Sequence, residues 1–130
     1  HLPLNNQIQK LNLEKLKELC QKLELEFEEV NSEKRLHYHL AASFANNFTN
    51  HILSLTDELI NKFKLEKKFF IPIANETFKK FQSNKSKESQ TGPGVRNDVK
   101  TLKKHEEILK KSNYLNLYKI ITKSIKKNDL

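Results

Sequence analysis

The pattern of apolar and polar residues predicts one long helix near the middle of the chain. Charged residues make up 31% of the sequence, yet the stretch from Leu36 to Thr56 contains none. Projection at about 100° per residue places one apolar stripe along this stretch and beyond it. The stripe consists of Ala41, Ala45, Phe48, Ile52, Leu55, Leu59 and Phe63. We therefore expect a helix over about 32–63, capped by Ser32, with this stripe in a core.

The opposite face of the predicted helix is mostly neutral and polar. It consists of His39, Ser43, Asn46, Asn50, Ser54 and Asp57, with Asn47 at its margin. Asn is a poor helix former, and burying an unpaired amide costs about 1–3 kcal/mol. The face therefore indicates a ligand cleft or a polar helix–helix interface. A chance run of Asn in a Lys- and Asn-rich chain is the alternative.

The rest of the pattern predicts four shorter helices and one strand. The helices run over about 12–23, 68–81, 98–111 and 113–127, and Pro72 fits the first turn of the second. Their expected caps are Asn12 for the first, Asp98 or Asn97 for the third and Asn113 for the last. The expected buried side of the second helix consists of Ile71, Ile73, Ala74, Phe78 and Phe81.

Residues 25–30, with the sequence LEFEEV, read as a short strand, and no partner strand follows. The chain also begins without Met, so we expect a fragment of a longer protein. In this interpretation residues 1–30 are the end of a dinucleotide-binding domain, and residues 31–130 form an all-α helical bundle around the long helix.

Composition fits one domain of 130 residues. The single cysteine excludes an internal disulfide, and we find neither a signal peptide nor an apolar run that could span a bilayer. We therefore expect a soluble, cytoplasmic protein with no membrane partner. The histidines lack the spacing of a metal site, so we predict no metal.

The net charge of +8 arises after Thr56, where Lys pairs are mixed with Glu. No recognition motif accompanies these pairs. A solvated Lys-rich surface is therefore favoured over a specific nucleic-acid site.

A second candidate for function is the loop over 82–98, which holds both glycines. Its Gly-Pro-Gly lacks the spacing of nucleotide-binding loops, and no strand precedes it. The loop nevertheless gathers an amide, a hydroxyl and two opposite charges around Pro93, in Gln90, Thr91, Arg96 and Asp98. A scaffold between helices and a functional site are equal alternatives on these grounds.

Two motifs carry a resemblance to a known family. The segment YHLAASFANNF at 38–48, then QTGPGVRND at 90–98, Thr101 and His105, resemble the C-terminal helical domain of a Rossmann-like family of unknown function. Its members are proposed NAD(P)-dependent oxidoreductases, related to 6-phosphogluconate dehydrogenase and pyrroline-5-carboxylate reductase. The resemblance covers about 12–125 and implies a 6-phosphogluconate dehydrogenase C-terminal-domain-like fold.

The resemblance implies that this chain is the substrate-binding and dimerisation domain of such a protein. NADP or NAD would bind the missing Rossmann domain. The chain alone should therefore hold no cofactor and should be inactive. Whether the complete protein is an enzyme stays open. Expected partners are a small-molecule substrate and a second copy, paired through Leu40, Phe44, Phe48 and Ile52. A non-catalytic helical interaction module is the alternative.

The resemblance also implies a site. Related hydroxyacid dehydrogenases carry a Lys four residues before an Asn on this helix, where the present chain has Ser43 and Asn47. His39, one turn earlier, could replace the missing acid/base, because imidazole titrates near neutrality; a site that has become one for binding or sensing is the other possibility. We predict His39, Ser43 and Asn47 as catalytic residues. The predicted substrate-binding residues are Asn46, Gln90, Thr91, Gly92, Arg96 and Asp98.

Overall fold

The computed structural model describes residues 4–127, and the side chains of residues 10–126. This part of the chain is all-α, with five helices, one of them 32 residues long. The elements are α1 (Leu4–Lys22), α2 (Ser32–Ala42), a π-helical turn (Ser43–Phe48), α3 (Thr49–Phe63), a 3-10 turn (Lys67–Phe69), α4 (Ile71–Gln82), α5 (Val99–Leu109) and α6 (Leu115–Lys127). None of the described helices combines the length and apolarity needed to cross a membrane.

The predicted long helix is confirmed and consists of α2, the π-helical turn and α3. Its cap is Asn31 rather than Ser32, because the Asn31 side chain accepts the Lys34 N–H at 2.8 Å. The helix ends where Lys64 takes a φ of +53°. A residue in this left-handed conformation stops helical hydrogen bonding and is typical of helix C-termini.

The long helix is not regular, which the projection at 100° per residue did not foresee. A π-helical turn accommodates one extra residue, so the side chains that follow it are rotated by about 100° relative to a continuous α-helix. The predicted stripe therefore does not describe one face. Its members are exposed or half-buried, whereas Ile60, outside the stripe, is buried.

The predicted strand at 25–30 is wrong. These residues form no strand in the described structure, because a strand needs a partner to accept its backbone hydrogen bonds. The segment is instead tied by its carboxylates: Glu29 pairs with Lys17 of α1 at 2.8 Å, while Glu28 accepts Lys34 and the Tyr38 hydroxyl of α2.

Three helix starts also differ from the prediction. α4, expected from about residue 68, begins at Ile71 after the 3-10 turn. Asn12 lies inside α1, which begins at Leu4, so it is not a cap. α6 begins at Leu115 and not directly after Asn113; Ser112 Oγ accepts the Tyr114 N–H at 3.0 Å just before it. The first turn of α4 contains Pro72, as predicted, because its missing donor is not needed there.

The predicted buried side of α4 is largely exposed in this chain, and only Ala74 of its members is half-buried. Ile71, Ile73, Phe78 and Phe81 are 43% to 64% exposed. A helix with one apolar face needs a second layer to cover it, and the described residues provide none here.

The chain divides into two compact units, up to Lys62 and from Phe63 onward. In the second unit α5 and α6 pack together, with Leu102 buried. His105 Nδ1 lies 2.9 Å from the Tyr118 hydroxyl, and Glu106 pairs with Lys119 at 3.3 Å. The predicted boundary near residue 30 falls between α1 and α2 and stays a prediction.

Candidate functional site

The first half of the predicted site lies on the long helix. His39 is in α2, and Ser43, Asn46 and Asn47 are in the π-helical turn. The side chains of His39, Asn46 and Asn47 are exposed, and none of the three side chains forms a hydrogen bond within residues 10–126. They are therefore available to an external ligand.

Ser43 differs from its neighbours because its hydroxyl donates to the His39 carbonyl at 3.0 Å. This bond back to the preceding turn is common for Ser in helices. This hydrogen bond uses the hydroxyl hydrogen of Ser43, the only one that its side chain can donate. The imidazole of His39 forms no such hydrogen bond, and His39 is therefore the better candidate for exchanging a proton with a substrate.

The π-helical turn aligns a row of polar residues. His39, Ser43, Asn47 and His51 are spaced by four, and each four-residue step of an α-helix advances about 40° around the axis. Because the wide turn takes back about 100°, the four residues stay on one side, and we call them the polar row. His51, exposed like His39, belongs to this row but is not among the predicted site residues; the four-residue spacing is the signal that points to it.

The second half of the predicted site is an ordered loop. Gly92 has a φ of +110°, and Asn97 one of +51°. The Pro93 carbonyl accepts the Asp98 N–H at 2.9 Å, and the Gly92 carbonyl accepts the Arg96 N–H at 3.3 Å. These successive bonds form a compact turn that leads directly into α5.

The loop is fixed onto α6. Gly94 is buried, and a Cβ at this position would lie 3.3 Å from Cγ2 of Ile125. Lys126 Nζ donates to Asn97 Oδ1 at 3.2 Å on the same side. A side chain at residue 94 would require Ile125 of α6 to shift by a few tenths of an ångström. The loop is therefore an ordered turn held against α6. Its substrate-binding role stays a prediction.

Asp98 caps α5. Its Oδ1 accepts the Thr101 N–H at 3.0 Å, and its Oδ2 accepts the Thr101 hydroxyl at 2.7 Å. The hydrogen bonds from Thr101 hold the pKa of Asp98 below its ordinary value, with smaller contributions from Arg96 and His105. The carboxylate is thus an anion engaged in the fold, and its predicted substrate contact stays a prediction.

The other loop residues differ in how they are engaged. Gln90 donates through Nε2 to the Thr91 carbonyl at 3.2 Å. The Arg96 side chain is exposed and forms no hydrogen bond to any residue of 10–126. Its guanidinium fork is suited to a carboxylate or a phosphate. Within residues 4–127 no three His, Cys, Asp or Glu side chains converge in a way that could hold a metal ion.

Comparison with known proteins identifies the family. The model of a domain of unknown function, DUF2520, matches residues 7–125. The chain belongs to the DUF2520 family. This match confirms the resemblance inferred from the two motifs.

A solved structure is similar to this DUF2520 chain. The crystal structure of a "putative NADP oxidoreductase" from Bacteroides fragilis is 35% identical and superposes with a TM-score of 0.71. The alignment covers 75% of this chain and 38% of that protein, so the present chain spans well under half of the relative's length. A search of curated protein sequences found no match.

Proposed function

We propose that this chain is the helical domain of a two-domain NADP-dependent oxidoreductase, in which it binds a small-molecule substrate and pairs with a second copy. NADP would be held by a separate dinucleotide-binding domain, since Gly92 and Gly94 lie in a turn between helices rather than between a strand and a helix. The cofactor would supply the hydride. This chain would orient the substrate and handle its proton.

The observation that carries the proposal is the polar row on the long helix. His39 and Asn47 present an imidazole and an amide without internal partners, in a helix whose charge-free stretch is unusual for a surface facing water. In the proposed site Asn47 hydrogen-bonds the substrate and His39 exchanges a proton with it. The likeness to an oxidoreductase helical domain supports the same role.

Pairing with a second copy is supported by exposed apolar side chains on the same helix. Leu40, Phe44 and Phe48 are 58%, 63% and 53% exposed. Soluble monomers seldom leave such contiguous apolar surface uncovered. A two-fold pair would bury the same residues on both copies.

The test compares two Asn→Ala variants in the complete two-domain protein. NADPH affinity is measured by titration calorimetry, and NADPH oxidation is followed with a panel of small carbonyl and imine compounds. Asn47→Ala should lower kcat/KM by about tenfold or more while leaving NADPH affinity unchanged, because it removes a substrate contact and not a cofactor contact.

Asn50→Ala is the matched control. Asn50 is also exposed on the same helix but lies about 100° away from His51, outside the polar row. It should behave like the wild type. Equal kcat/KM in Asn47→Ala and Asn50→Ala would refute the proposed substrate site. A complete protein that binds no NADPH but still dimerises would favour the non-catalytic interaction module instead.

A further inference from the structure

The long helix carries a second row with the same four-residue spacing. It consists of Leu36, Leu40, Phe44, Phe48 and Ile52, which we call the apolar row. In a regular α-helix each step would advance about 40°, so the row would spread over about 160°. One flat partner surface could not cover such a spread.

The π-helical turn removes most of this spread. It lies within the row, at Ser43–Phe48, and its extra residue takes back about 100°. The five side chains then fall within about 60° of one another. Phe44 and Phe48, which flank the middle of the turn, pack edge to face with ring centroids 5.0 Å apart.

Thr49 stabilises the wide turn. Its hydroxyl donates to the Phe44 carbonyl, five residues earlier, at 2.9 Å, and its N–H donates to the Asn46 carbonyl. A side-chain donor inserted into the helical ladder is a recognised cause of helix irregularity. Without the hydroxyl, the ordinary α-helical pattern would compete more strongly for the Phe44 carbonyl.

We propose that the π-helical turn is a register device that straightens the apolar row for pairing with a second copy of this chain, and that Thr49 is its positioning residue. The inference rests on the dimerisation part of the proposed function.

A second copy is the occupant that fits the row best. All five residues are 39% to 65% exposed, and the surrounding stretch Leu36–Thr56 has no charged side chain in a chain of net charge +8. Two such stretches can meet without like-charge repulsion. Each copy also supplies the same aromatic pair to the contact.

The test measures self-association by sedimentation equilibrium at 1–100 µM, a range of about two orders of magnitude in concentration. Thr49→Val keeps the shape of the side chain and removes its hydroxyl; Thr49→Ser is the matched control that keeps the hydroxyl. Deletion of Ala45 removes the extra residue of the turn. Circular dichroism of each variant reports its helix content.

The wild type and Thr49→Ser should form dimers. Thr49→Val should raise the dimer Kd by about tenfold, and deletion of Ala45 should raise it further, both with unchanged helix content. Loss of pairing without loss of helix distinguishes a register device from a residue that merely stabilises the fold.

Two outcomes would overturn the inference. Dimers of wild-type affinity in Thr49→Val and in the deletion variant would exclude the register device while leaving dimerisation intact. A monomeric wild type would instead exclude dimerisation itself. If either variant loses helix content, Phe44→Ala is the variant that tests the proposal. It keeps the backbone hydrogen bonds of the turn and removes one side chain from the apolar row. Unchanged pairing in Phe44→Ala would refute the proposal.

Discussion

At the scale of single residues, Asp98 joins the loop of the candidate site to α5. It accepts the Thr101 N–H and hydroxyl at the start of α5, and the loop that carries Arg96 ends at this cap. Since the loop and α5 share this residue, the geometry of the loop depends on its charge and its hydrogen bonds.

We expect the contribution of Asp98 to stability to disappear in acid. Its pKa is lower in the folded chain than the ordinary value of 3.8. A group with a lowered folded pKa stabilises the fold fully above its unfolded pKa, and this contribution is lost as the pH falls through the folded pKa. The loss should therefore occur below about pH 4.

Thermal unfolding followed by circular dichroism at pH 7 and pH 3 checks this expectation. Asp98→Asn keeps a capping side chain but cannot titrate, so its melting temperature should lie below that of the wild type at pH 7 and approach it at pH 3. Asp98→Ala loses the cap and should melt lower than Asp98→Asn at both pH values. A gap between the wild type and Asp98→Asn that persists at pH 3 would contradict the assignment.

At the scale of elements, two helices end at residues whose backbone has the left-handed conformation. Glu24 follows α1 with a φ of +52°, and Asn84 follows α4 with a φ of +55°. In both cases the next N–H reaches back to the helix: Leu25 to the Cys20 carbonyl at 2.9 Å and Lys85 to the Lys80 carbonyl at 3.0 Å. This arrangement is a Schellman motif, in which Gly is usually preferred to residues with a side chain.

Replacing the left-handed Glu with Gly should therefore stabilise α1. We expect Glu24→Gly to raise the free energy of unfolding by about 0.5–1 kcal/mol, because Gly adopts positive φ without a steric cost. The larger backbone entropy that Gly loses on folding offsets part of this gain. Glu18→Gly, the same change inside α1, should lower stability by about 1 kcal/mol. Urea unfolding monitored at 222 nm measures both, and a destabilising Glu24→Gly would contradict the role of the left-handed residue.

At the scale of the whole molecule, the helices carry surface charges of both signs. Several lysines are paired with Glu, among them Lys80 with Glu76 at 3.9 Å and Lys119 with Glu106 at 3.3 Å. Such surface pairs contribute little to stability, but they mix both signs of charge on the helices. Exposed apolar side chains lie on the apolar row, on α4 and on other helices of the described chain.

We therefore expect only weak, non-specific binding to nucleic acid. Fluorescence anisotropy with a labelled DNA duplex should show binding near 20 mM salt that is lost by about 150 mM, because it depends on released counterions. A chain of the same length with a neutral sequence serves as the baseline. Tight binding that resists 150 mM salt would contradict the mixed-charge interpretation.

The sequence by itself determined the local features of this protein. The extent of the long helix, the position of Pro72 and the cap at Asp98 depend on short-range chemistry: apolar periodicity, a missing donor and a side-chain acceptor beside free N–H groups. The two motifs also sufficed to indicate the family and the candidate residues His39, Asn47 and Arg96. These predictions needed no knowledge of what lies opposite each helix.

Only the tertiary structure decided which surfaces are covered and where the helix departs from regularity. LEFEEV has the pattern of a strand but forms none, because a strand exists only beside a partner. The stripe from Ala41 to Phe63 has the pattern of a core but stays largely open, because burial depends on a facing layer. The π-helical turn at Ser43–Phe48 rotates the residues that follow it, and it therefore brings His51 to the same side of the helix as His39.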